Sequence, residues 1–116
     1  MDQTLGNLNT LYSWAERGHS IYWLDEKNAV LALQTGKHHI NIDASREGPS
    51  CGLIPIGKPV ASVSTDGLKW NLNSQKLAFG KDGLVSTSNC IVEQVVSVEV
   101  SHPLIWTCEL RYGPMT

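Results

Sequence analysis

Apolar residues recur at three- and four-residue spacing up to Gly18 and at alternate positions beyond it, which predicts one short helix followed by strands. Leu5, Leu8, Leu11 or Tyr12, and Ala15 line one face of a helix over residues 2–17. Asp2 or Thr4 can cap its start, and Gly18 can end it in a left-handed turn. Gly6 weakens the first turn by up to about 1 kcal/mol relative to Ala, and an isolated helix this short is marginal in water. Such a helix must pack on a sheet or continue upstream into something longer.

Beyond Gly18 the period becomes two. First strands are expected within 20–43, at 20–24, 29–33 and 38–42, with turns at Asp25-Glu26-Lys27-Asn28 and Gln34-Thr35-Gly36. Ser45, Gly48, Pro49, Ser50, Gly52, Pro55 and Gly57 punctuate residues 44–59, which read as a long irregular loop. An antiparallel β region is expected over 60–112. There Leu68, Trp70 and Leu72 alternate with Lys69, Asn71 and Asn73, as in a half-buried strand. Val96, Val98 and Val100 alternate with Ser97, Glu99 and Ser101, His102-Pro103 turns, and Leu104, Trp106, Cys108 and Leu110 line one face of the last strand. The expected fold is α+β: a single domain over residues 1–116, with the amphipathic helix packed on a meandering antiparallel sheet.

Composition narrows the function classes. Charged residues make up 17% of the chain and the formal net charge is −2, with no basic stripe, so phosphate-backbone binding to nucleic acid is disfavoured. No stretch approaches the roughly 18 apolar residues that cross a bilayer, and Met1-Asp2-Gln3 lacks the basic start and apolar core of a signal peptide. Asp2 leads at once into the helical pattern, as if an upstream segment had been removed.

Chemistry-bearing residues give no catalytic constellation. His38 and His39 are adjacent on a strand, so their imidazoles diverge, and a solvated strand outweighs a metal site. Cys51, Cys90 and Cys108 have no CxxC spacing and no nearby His pair for zinc; buried thiols and one disulfide plus a spare thiol are the two readings. Asp66-Gly67 and Asp82-Gly83 are turn chemistry, and GxxxxGK and GxGxxG are absent. Trp14, Trp23, Trp70 and Trp106 are many for this length; an exposed platform for a sugar or a base is one use. Core packing is favoured for all but Trp23, because Trp70 and Trp106 sit on the apolar faces of alternating strands. No catalytic residue, metal or cofactor is expected.

The order of elements carries a resemblance. Leu8-Asn9-Thr10-Leu11-Tyr12-Ser13-Trp14-Ala15-Glu16-Arg17-Gly18-His19-Ser20-Ile21 resembles the end of the long helix of type IV minor pilins and type II secretion pseudopilins, most of all the FimT/GspH group. Leu77-Ala78-Phe79-Gly80-Lys81-Asp82-Gly83-Leu84-Val85 looks like that family's hairpin, and Arg111-Tyr112-Gly113 like its terminal stretch. The resemblance implies a non-enzymatic filament subunit whose partners are other pilin or pseudopilin subunits. An absent upstream helix would anchor it in the inner membrane, its β domain periplasmic or on a cell-surface filament, and Leu5, Leu8, Leu11 and Ala15 would be shared with assembly. The periplasmic setting it implies favours a disulfide, with Cys90–Cys108 as the pairing carried forward and Cys51–Cys90 and Cys51–Cys108 open. Two other classes stand beside it: a carbohydrate- or ligand-binding β module, and a small hydrolase using Cys51 or a carboxylate.

Overall fold

The computed structural model describes Thr10, Ser13 and residues 22–24, 28–56, 58–80 and 83–111, the side chains of 22–24 excepted. Among the described residues there are nine strands: β1 Tyr22–Leu24, β2 Asn28–Leu33, β3 Gly36–Asn41, β4 Glu47–Ile54, β5 Val60–Asp66, β6 Gln75–Leu77, β7 Ser86–Cys90, β8 Val95–Val100 and β9 Leu104–Leu110. They form a five-stranded sheet in the order β1-β2-β9-β4-β7 and a four-stranded sheet in the order β3-β8-β5-β6, all pairs antiparallel.

The two sheets share one core. Leu33, Cys51, Leu53, Leu104, Trp106 and Cys108 from the first sheet form a single apolar cluster with Val60, Val63, Leu77, Val96, Val98 and Val100 from the second. β8 shows why the pattern works: Val96, Val98 and Val100 are buried, while the alternate positions look outward. β2 and β9 are buried on both faces. Leu33 pairs with Leu104 toward the other sheet, while Ala32 pairs with Ile105 one step along, and all four are buried. Near-continuous apolar runs such as Leu104-Ile105-Trp106 are the signature of that double burial.

Two facing sheets replace the expected single meandering sheet. The helix over 2–17, with its face of Leu5, Leu8, Leu11 and Ala15, lies outside the described residues apart from Thr10 and Ser13. The sheets are not meandering either, because only β1–β2 and β5–β6 are both consecutive and paired. The link Ser101–Pro103 is a crossover rather than a hairpin. Ser101 still donates its backbone N–H to Ser62 O of β5 at 3.0 Å, and the chain then passes into the other sheet as β9.

β4 runs through the stretch expected to be a loop. Its glycines and proline are accommodations within a central strand. The register with β9 shifts between Glu47 and Cys51, around Gly48 (φ 80°) and Pro49. At Gly52 a Cβ would stand 3.0 Å from Ser86 O and 3.2 Å from Thr87 Cα, so β7 can lie this close only over glycine. Beyond these positions Cys51 and Leu53 are buried in the inter-sheet cluster, which supplies the driving force for the strand.

Candidate functional site: an aromatic shelf beside an edge strand

The connection from β5 to β6 carries Trp70, and it is not the strand that its alternation suggests. Leu68 is buried, but Trp70 is 55% exposed, so the reading of Trp70 as core is corrected; Trp106 is buried at 2%. The reason lies in polar side chains that take the backbone groups a ladder would use. Asn71 Oδ1 accepts from Leu68 N at 3.0 Å and from Thr65 Oγ1 at 3.2 Å, while Thr65 Oγ1 accepts from Leu72 N at 2.8 Å. Gly67, at φ 93°, starts this turn; a Cβ there would meet Val95 O at 2.7 Å.

Asn89 of β7 holds Trp70 from the other side. It is a buried polar side chain, 6% exposed. Its Oδ1 accepts from Trp70 N at 3.2 Å and from Cys90 N at 2.8 Å, and its Nδ2 donates to Trp70 O at 2.8 Å and, more weakly, to Ser86 Oγ at 3.4 Å. A backbone bond from Lys69 N to Cys90 O at 2.8 Å and a bridge between Leu68 and Ile91 complete the attachment. Both amide groups of Asn89 are engaged, which satisfies it in the core and fixes where Trp70 emerges.

Around Trp70 lies an open hollow of about 340 Å³, with Leu72, Leu84 and Val85 as apolar wall and Ser86, Thr87 and Ser88 as a row of hydroxyl-bearing residues on edge strand β7. The Lys69 ammonium sits 4.8 Å from the centroid of the Trp70 ring, so that ring already receives a cation. An aromatic face beside hydroxyl donors and acceptors can hold a flat, partly cationic heterocycle.

A larger hollow, about 730 Å³, opens beside Asp43, Glu47, Glu93 and Arg111. Several of its polar groups are engaged in building the turn that precedes β4. Asp43 accepts from Ser45 Oγ at 2.6 Å and Ser45 N at 3.1 Å, and these bonds, with Arg46 nearby, hold its carboxyl below the usual carboxylate value. Glu47 accepts from Asp43 N at 2.7 Å, and Arg111 donates to Ala44 O. This is local scaffolding.

The other sequence candidates are separated. His38 bonds to Gln34 O at 2.6 Å and His39 to Ser97 Oγ at 3.1 Å. All three cysteines are free thiols. Cys90 lies on β7 and Cys108 on β9, with β4 between them, so two strand spacings of about 4.8 Å separate them, beyond the roughly 7 Å that a disulfide can span. Cys51 is buried, and burial pushes its thiol up to about 12, which makes it a poor nucleophile for the hydrolase reading.

The fold is that of a β domain built from two facing sheets, with an exposed aromatic shelf at the edge of one of them. Residues 37–105 match the family model of the thiamin pyrophosphokinase, vitamin B1 binding domain, and the chain belongs to that family. It is 42% identical over 110 residues to thiamine pyrophosphokinase 1 of Oryza sativa subsp. japonica and 41% identical over 110 residues to thiamine pyrophosphokinase 2 of Arabidopsis thaliana. Each alignment covers 95% of this chain and 40% of the relative, so the chain spans about two fifths of their length. The solved thiamin pyrophosphokinase of Candida albicans superposes with a TM-score of 0.77 at 25% identity, over 95% of this chain and 40% of that one.

These findings overturn the pilin and pseudopilin resemblance, whose motifs are short and built from common residues. Filament assembly, pilin partners, the upstream membrane anchor and the inner-membrane, periplasmic or cell-surface location fall with it. The non-enzymatic reading falls as well, because the relatives are named as pyrophosphokinases. The ligand-binding module fits better. Among the described residues no helix is long and apolar enough to cross a membrane.

Proposed function

We propose that this chain supplies the thiamine-binding part of a thiamine pyrophosphokinase, with the vitamin's rings held against Trp70. The observation that carries the assignment is a tryptophan more than half exposed, yet fixed at its backbone N and O by a buried asparagine. Thiamine is a flat aminopyrimidine joined to a cationic thiazolium, and both rings suit an aromatic face. The row Ser86-Thr87-Ser88 offers hydroxyls to the aminopyrimidine, which both donates and accepts. The chemistry of such an enzyme is attack by thiamine's primary alcohol on the β-phosphorus of ATP, with AMP leaving. The shelf's part in it is to bind and orient the alcohol-bearing substrate.

Thiamine titration followed by tryptophan fluorescence and calorimetry tests this. Stacking on an aromatic side chain contributes about 1–3 kcal/mol, so Trp70→Ala should weaken thiamine binding roughly 10- to 100-fold, with Trp70→Phe intermediate. Unchanged affinity in Trp70→Ala would remove the shelf from the site.

A further inference from the structure

Cys51 and Cys108 are register partners on adjacent antiparallel strands β4 and β9. Directly opposed residues in such a pair have Cα atoms about 4.5–5.5 Å apart, inside the roughly 4.4–6.8 Å window of disulfides. Their side chains also share a face: both are buried, at 4% and 2% exposure, in the same inter-sheet cluster. Cys90 is excluded by the same register. It partners Ser50, so it lies on the opposite face of the sheet from Cys51, which partners Asn89. A hollow of about 230 Å³, lined by Leu31, Ile40, Glu47 and Trp106, reaches Cys108. This admits an oxidant of peroxide size from the Cys108 side.

The geometry points to Cys51 and Cys108 as a site of reversible oxidation, a cross-strand dithiol that a peroxide closes to a disulfide between β4 and β9. In the first step the Cys108 thiolate attacks one oxygen of hydrogen peroxide; the O–O bond breaks and hydroxide leaves, taking up a proton as water. In the second, the Cys51 sulfur attacks the Cys108 sulfenic acid, the S–O bond breaks and a second water leaves. Two thiols lose two electrons in all, one peroxide gains them, and two waters form. The order follows from access, since the hollow touches Cys108 and not Cys51.

The setting makes the reaction slow at neutral pH. The Cys108 thiol donates to Glu47 Oε2 at 3.8 Å, and burial together with that carboxylate pushes it up to about 11. The thiolate is the attacking species, so the rate of closure should rise about tenfold per pH unit below that value. This device is independent of the thiamine assignment: it is read out by thiol counting, and thiamine need not bind.

The test treats the chain with hydrogen peroxide at about pH 9, unfolds it, counts free thiols and sequences linked peptides. The expected result is a fall from three free thiols to one, a Cys51–Cys108 peptide, and return to three with dithiothreitol. A Cys90→Ser variant should still close the bridge. Overturning results are three persisting thiols, a bridge that includes Cys90, or Cys108 driven to sulfinic acid while Cys51 stays reduced.

Discussion

Replacing Asn89 with Ala removes a side chain whose amide holds two segments together: β7 and the Trp70 turn. The loss can be sized bond by bond. Four hydrogen bonds end on this side chain, and the longest, to Ser86 Oγ at 3.4 Å, contributes little. Cys90 N is part-buried and loses its acceptor, while Trp70 N and O lie under a half-exposed residue and can be re-satisfied by water. A buried group left unpaired costs about 1–3 kcal/mol and each of the two bonds replaced by water about 0.5–1.5 kcal/mol, so the variant should lose about 2–6 kcal/mol of stability. Asn89→Asp is the sharper probe because it keeps the shape and the Oδ1 acceptor but turns an acceptor toward Trp70 O. At neutral pH it should be at least as damaging as Ala, and near pH 4 it should partly recover, as a protonated carboxyl can donate again. Urea unfolding gives the stability, and thiamine titration gives the consequence for the shelf. A loss under about 0.5 kcal/mol in Asn89→Ala, with thiamine affinity unchanged, would refute the claim that this residue sets the position of Trp70.

Gly52→Ala should destabilise by about 1–3 kcal/mol, because its methyl group would press Ser86 O and Thr87 Cα of β7; thermal unfolding measures it, and a stable variant would mean that β7 can move outward. Gly67→Ala combines a positive φ with a contact at 2.7 Å and should be the more damaging of the two by the same measurement. Cys51 and Cys108 keep their protons to about 12 and 11 in the fold, against an ordinary thiol value of 9.0, so the unfolded chain releases those protons first. Their contribution to stability is therefore complete below about pH 9 and lost as pH rises toward 11–12, and a Cys51→Ala, Cys108→Ala double variant should show a flatter alkaline limb in denaturation.

The legible parts of this chain are those where burial follows the local period. Val96, Val98 and Val100 alternate in sequence and alternate in the structure, because β8 has one face on the core. The illegible parts are those where a distant partner decides. Leu68, Trp70 and Leu72 carry a strand's alternation, yet Asn71 and Thr65 close the segment into a turn and Asn89, nineteen residues on, takes the backbone of Trp70. Asn71 and Thr65 lie within the segment and are residue types that bind backbone, so that part of the signal was available; the role of Asn89 depends on β7 folding back beside the turn, which no local pattern encodes. The opposite error occurs at β4. Gly48, Pro49 and Gly52 have loop composition, but the positive φ at Gly48 marks an irregular register and the bare Cα of Gly52 lets β7 approach. Both misreadings meet at one place, since Gly52 is what allows β7 to lie close and β7 is what presents Asn89 and the serine–threonine row to Trp70. The aromatic shelf is thus a product of sheet order β9-β4-β7 rather than of any contiguous motif. Local alternation assigns its tryptophan to the core and local composition assigns its supporting glycine to a loop, and both fail for the same physical reason: each residue is defined by a contact across strands.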